Sequence, residues 1–428
     1  MNLIKTISIV LSMSLTEALG AQSVFTRSLH PDLKTLQVIA DGDFQKLPVI
    51  DLEGNSSLEI SFDVLADEQA WIDYTVVHCN ARWEPDDLND MDYLEYRILP
   101  LHVESVEPSF NTFTNYFHYS VTFPNEDVRP TVSGNYAMFF HVQDEPDSVL
   151  AVATFSVSEQ LLFTNGTVSG NTDIDFQQLH QQLTLDLSWG SSQLPHLDAA
   201  SELLVHVTQN RRRDNERWLQ HPTRMEKGHA FFEHERQLIF EAGNHWRRFE
   251  FTDEHYPGLH VDHVRYHAPI YYAYLYRDEA RNLENYRYDQ DQHGRFKIHA
   301  LRVDDVNTEA EYFMAMFSLD APAGLSTRGV YLVGDMTSQV LDESTRMEYD
   351  PNEGLYFKEL LLKEGAYNYQ YLVPAKKQTL DNGEEKTLLS TSFLEGNHYE
   401  TPNEYEIYVY YRPFGSRYDR LIGTARLY

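Results

Sequence analysis

A single cysteine, Cys79, stands among 428 residues. One thiol cannot close an internal disulfide, so packed cores must hold the fold without covalent staples. Basic residues are scarce as well: 34 Lys and Arg face 66 Asp and Glu, a formal charge of −32. That balance repels nucleic acid phosphates and anionic lipid headgroups. Beyond the first residues no apolar run reaches membrane-spanning length. Long helical periodicity is nearly absent, and the best helical stretch, 173–182, reads equally well as a loop. H-E-x-x-H, G-x-S-x-G, the phosphate-cradling G-x-x-x-x-G-K and the EF-hand loop are all missing, which removes the common signatures of zinc hydrolases, serine esterases, nucleotide and calcium binding.

What the chain has in quantity is aromatic β sequence. Tyr (28) and Phe (23) dominate a composition that is 42% hydrophobic, enough to bury cores rather than remain disordered. Short alternating runs such as AWIDYTVVHC, NYFHYSVTFP, GNYAMFFHVQ, EAEYFMAMFSLD and NEYEIYVYYRP are separated by Gly, Asn, Asp and Pro. The pattern predicts an all-β chain of tandem immunoglobulin-like or early-set β-sandwich domains. The opening MNLIKTISIVLSMSLTEALGAQS has the layout of a secretory signal peptide over 1–20, cut after Gly20, so the mature protein is expected to be soluble and exported. Turn-rich boundaries near Glu159 and Val306 then divide the remainder into 21–159, 160–305 and 306–428.

Cys79 ends the strand-like YTVVHC, where alternation sets Thr75, Val77 and Cys79 on one face and Tyr74, Val76 and His78 on the other. A catalytic thiolate needs a base and an electropositive setting. Here the adjacent His78 points away, and Glu84, Asp86, Asp87, Asp90 and Asp92 follow. Cys79 therefore reads as a small core hydrophobe, with Trp83 and Pro85 capping the sandwich end. The densest histidine group, His255, His260, His263 and His267, is split between two strand faces and interrupted by Arg265, so no metal site is predicted. Arg211–Arg213, set among Asn, Asp and Glu, read as a solvated turn. Acidic pairs are too abundant to single out a glycosidase pair.

In the C-terminal third, GVYLVGDMTSQVLDESTRMEYDPNEGLYFKELLLKEGAYNYQYLV resembles the early-set sandwich of glycogen- and starch-binding modules. Those modules stack sugars on Trp, whereas all five tryptophans here (Trp71, Trp83, Trp189, Trp218, Trp246) precede residue 247. Tyr could substitute, yet Tyr367, Tyr369 and Tyr371 alternate onto one strand face, which reads more simply as a buried ladder.

A wider resemblance runs through HCNARWEPDDL, FNTFTNYFHYSVTFPN, SGNYAMFFH, APIYYAYLYRDEARNLENYRYDQDQHGRFKI and FLEGNHYETPNEYEIYVYYRPFGSRYDRLIG. In order and spacing these look like the Plug protein family of the type IX secretion system, exported periplasmic β proteins that close the mouth of an outer-membrane translocon barrel. Its hallmark positions here include His78, Cys79, Trp83, Pro85, Gly134, Asn135, Tyr136, Gly396 and Asn397, and the family supplies no catalytic residues. The resemblance implies a non-catalytic subunit without cofactor, nucleic acid, membrane insertion or small-molecule substrate, whose partner is the barrel. Tyr and Arg anchors suit such an interface. The candidates are Tyr271, Tyr272, Tyr274, Tyr286, Tyr288, Tyr410, Tyr411, Arg412 and Tyr418. The alternative is an exported carbohydrate-binding β-sandwich protein.

Overall fold

The computed structural model describes residues 24–428 apart from 191, 192, 196 and 380–384. The expected signal peptide lies outside the described residues. Strands dominate, and the α-helices among the described residues are single turns, Asp90–Tyr93 and Val306–Glu309. Two compact units form. The first takes the described residues up to Asn111, then Asn115–Leu161 and Tyr410–Gly423; the second takes Thr112–Thr114, Leu162–Val409 and Thr424–Tyr428.

In the first unit one sheet runs in the order Arg27–Ser28, Glu145–Ser158, Gly134–Val142, Ile72–Cys79, Leu101–His102, with Val49–Asp51 added parallel to Glu145–Ser158. A second runs Leu33–Ala40, Leu58–Val64, Phe117–Phe123, Ser105–Pro108, and Leu94–Tyr96 pairs with Val128–Pro130 in a small third. Period-2 alternation decides which side chains meet between the first two. Leu58, Ile60 and Phe62 from one sheet, and Tyr74, Val76, Tyr136, Met138 and Phe140 from the other, share one buried cluster. Phe62 lies 5.3 Å from Tyr119 and 4.8 Å edge-on from Phe140, joining the two layers. Each such side chain, fully buried, contributes on the order of 1.5–3 kcal/mol.

Cys79 points to the opposite side of its sheet, as alternation requires, and is fully buried with Val24, Ala137, Phe139 and Val152. Burial pushes its thiol well above the ordinary range, and Asp86 adds to the shift. That is packing, not nucleophile activation.

Among the described residues the second unit contains four sheets. Leu162–Ser169, His180–Trp189, His229–Phe232 and Arg224–Glu226 form one, with Ile239–Glu241 alongside His180–Trp189. Another includes Arg212–Leu219 and Leu203–Gln209. Further along, Gly365–Thr379 pairs with Arg247–Phe251, Phe296–Ile298, Tyr331–Val333 and Glu385–Ser390. Its companion sheet runs Val261–His267, Ile270–Leu275, Tyr312–Asp320, Leu355–Lys363, Glu348–Asp350. These last two sheets share one core, in which Phe249, Phe251, Phe313 and Phe317 meet Tyr367, Tyr369 and Tyr371. The position near Val306 that was expected to divide domains falls inside this unit.

One open alternative is decided, for the loop, and one local expectation changes. Residues 173–182 form no helix: Thr172 Oγ1 accepts from Asp175 N at 2.9 Å and Asp175 Oδ2 from Leu179 N at 3.1 Å, closing a polar turn before the strand starts at His180. Such short side chains compete with the backbone ladder a helix needs. The Arg run does turn at Asn210 and Arg211, both with positive φ, but it is not solvated. Arg212 is buried and bidentate on Asp214. Arg211 reaches Glu406 and Asp335, both at 3.2 Å. These acids, distant in sequence, make burial of the guanidinium tolerable.

Candidate docking surface

Several family-motif positions of the first unit converge on one buried junction. His78 Nδ1 lies 2.5 Å from Asp86 Oδ2, and its Nε2 3.1 Å from the Ser133 carbonyl. Its ring meets Tyr136 edge-on at 4.9 Å and Tyr418 at 5.6 Å. Gly134, at φ +139°, passes so close that an added Cβ would sit 2.3 Å from His78 Nε2 and 3.1 Å from the Asp419 carbonyl. No other residue fits there. Asn135, fully buried, donates to the Asn80 carbonyl (3.0 Å) and accepts from Ser156 Oγ (2.8 Å) and Tyr410 Oη (3.0 Å). Trp83 adopts φ +64° in the turn that follows Cys79, and Cys79 bridges to Pro85 across it. The polar groups of His78 and Asn135 are thus satisfied inside the junction, which is structural work.

Gly396 and Asn397 serve a comparable junction in the second unit. Asn397 Oδ1 accepts from Gly243 N at 2.9 Å and its amide donates to Ser392 Oγ at 2.7 Å. Beside it lies a network that local sequence patterns do not reveal. Glu395, fully buried, takes Arg247 at 3.1 Å and Arg281 at 2.6 Å. Arg247 also holds Asp278 at 2.8 Å, and Asp278 accepts from Tyr369 and Tyr371 hydroxyls at 2.8 Å each. Despite burial, hydrogen bonding from His260 and the Arg247 charge hold the Asp278 carboxyl down at about 2. Tyr367, Tyr369 and Tyr371 are 2%, 0% and 0% exposed. They offer no stacking face to a sugar, so the carbohydrate-binding alternative loses its platform.

The other interface candidates separate by exposure. Tyr410 and Tyr411 are buried, whereas Arg412 is exposed and Tyr418 partly so. Tyr271 is tucked inward on Phe313 at 5.2 Å, and Phe113 covers it at 5.6 Å. Tyr272 and Tyr274 lie on the other face, where Tyr274 stacks on His263 at 4.5 Å. Tyr288 is exposed at 70%, while Tyr286 is partly buried with His398 at 5.5 Å and His245 at 6.3 Å. Neighbours Leu283 and Phe414, fully exposed or nearly so, were not singled out by sequence.

Of the histidine group, His260 turns to Asp278 and His263 to Asp262, while His255 lies beside Asp253 and Glu254. Asp253, Glu254 and His255 are, among the described residues, the one set of three potential ligands close enough to share an ion; two of the three are exposed. Nearby, Glu311 accepts from the backbone amides of Phe113, Thr114 and Tyr312. Burial, with Glu254, Glu311 and Asp253 around it, pushes the Glu364 carboxyl up to about 7 even though it accepts from Glu311 N.

Fold and sites together define a class: an all-β protein of tandem sandwiches whose motif residues brace buried junctions. A family model for the first domain of the type 9 secretion system plug protein matches residues 33–159. A solved structure of a hypothetical protein from Parabacteroides merdae is 38% identical over 95% of this chain and 99% of its own, with a TM-score of 0.89. No curated protein matches. Residues 33–159 belong to the first-domain family of the type 9 secretion system plug protein. That family is a component of secretion and not a known enzyme family, which gives the protein a role associated with type 9 secretion and suggests an envelope or periplasmic location. Among the described residues no helix is long and apolar enough to cross a membrane.

Proposed function

We propose that the protein is a non-catalytic periplasmic subunit that docks on the outer-membrane translocon of the type 9 secretion system and closes its periplasmic opening. The match of residues 33–159 to the plug protein's first domain carries this reading. Supporting it, His78 and Asn135 are taken up by the Ser133 and Asn80 carbonyls, with Gly134 packed on His78, instead of presenting reactive groups. A plug must be folded before it docks and must be able to leave, and disulfide-free sandwiches with separately closed cores meet both needs. The signal-peptide-like N-terminus accounts for how it reaches the periplasm.

The test is affinity purification of the tagged full-length protein from detergent-solubilised envelopes, with mass spectrometry of what accompanies it. Recovery of a large barrel subunit of the secretion translocon is expected. Recovery of the bait alone, under conditions that keep the translocon intact, would overturn the proposal.

A further inference from the structure

Sheet edges expose unpaired backbone groups, and proteins guard them with charge, proline, bulges or shortness. Most edges here follow that rule. Arg27–Ser28 and Leu101–His102 are two residues long. Leu33–Ala40 has Lys34 and a register shift, Ser105–Pro108 has Glu107 and a closing Pro, and Val261–His267 has Asp262, Arg265 and another shift.

Leu162–Ser169 departs from it. LFTNGTVS carries no charge and no proline, and it pairs with His180–Trp189 in unbroken register from Leu162↔Trp189 to Ser169↔Gln182. It is the first strand in its sheet order, and among the described residues its backbone has no partner on the other side. Phe163, Asn165 and Thr167 face solvent, Phe163 at 71% exposure. The turn that follows adds Ile174 and Phe176, exposed at 55% and 67%.

We infer that the 162–169 edge is a docking site for strand addition, and that its occupant is an extended, uncharged or basic segment of the secretion translocon. The inference rests on the plug reading above and names the surface that reading leaves open. Backbone pairing supplies affinity, and side chains at alternate positions of the incoming strand, apolar beside Phe163, supply selectivity. A second copy of this chain is disfavoured as occupant because each copy carries −32, and like fields oppose close approach.

The test compares three full-length proteins as bait for the solubilised translocon: the wild type, the double variant Asn165→Lys/Thr167→Lys, and Ser105→Lys, a charge added to a guarded edge. Exposed lysines on an edge strand block pairing. The double variant should recover at least about tenfold less barrel subunit, with Ser105→Lys matching the wild type and all three melting together. Equal recovery by the double variant overturns the inference and leaves the plug reading standing. A wild type that recovers no barrel removes the plug reading and this inference with it. Should the double variant melt early, backbone hydrogen exchange in the wild-type complex decides: slowed exchange across 162–169 supports the edge, and unchanged exchange overturns it. A wild-type dimer in light scattering that the double variant abolishes would assign the edge to a second copy and overturn the choice of occupant.

Discussion

The first unit packs Phe62 against Tyr119 and Phe140 and holds its buried His–Asp contacts as separate pairs, His78 with Asp86 and His118 with Asp63. The second sets its tyrosine ladder against Arg247, Arg281, Glu395 and Asp278, a network whose members reach across up to 148 residues of sequence. An apolar core fails by leaving a void, and an ionic core by stranding a charge, so equal truncations should be felt through different physics. The two units therefore need different probes.

The largest effect is expected from Arg247→Ala. It takes a partner from both Glu395 and Asp278, and removing one side of a buried ion pair costs about 3–5 kcal/mol. Loss of hydrogen-exchange protection confined to the second unit would confirm it, and equal loss in both would erase the contrast. Phe140→Ala should cost the first unit about 3–4 kcal/mol through its cavity, read as a lower urea midpoint for first-unit probes. Tyr369→Phe removes a hydroxyl that donates to Asp278, and a bond to a charged group is worth about 1.5–3 kcal/mol. A change below a few tenths would show that Arg247, Tyr371 and His260 hold that carboxylate without it.

The last comparison is in pH dependence. Glu364, raised to about 7 from 4.5, holds its proton more tightly folded than unfolded, so its contribution falls as pH rises from about 4.5 to 7. Asp278, lowered to about 2 from 3.8, contributes fully above about 4 and loses that as pH falls towards 2. His245, lowered to about 4 from 6.5 by burial and the neighbouring Arg281, loses stability as pH falls from 6.5 towards 4. Glu364→Gln should flatten the neutral side of the second unit's pH–stability profile and leave the acid side alone. A profile unchanged on both sides would mean that Glu364 titrates alike folded and unfolded.

Much of the fold was legible because alternation is local. Cys79 with Val77, and Tyr367 with Tyr369 and Tyr371, fell where a period of two placed them. What escaped was whatever depended on distant partners. Arg211 looks solvated until Glu406 and Asp335, 195 and 124 residues away, come beside it. The candidate anchors divided for the same reason: nothing local in YVYYRPFGSRY tells a buried Tyr410 from an exposed Arg412. The absence of charge in LFTNGTVS was there to be read, but that the strand lies at an edge is a property of the sheet.

One feature of the first unit sets a timetable. Residues 410–423 belong to it, and within it the Asp419 carboxylate accepts from Ala81 N while Arg420 clasps Glu159 with two hydrogen bonds. A chain emerging N-terminus first cannot finish its first sandwich until residues 410–423 have arrived. Chains that still lack residues 410–423 thus carry an incomplete first unit, and a stop codon before 410 takes residues from the first unit as well as from the second.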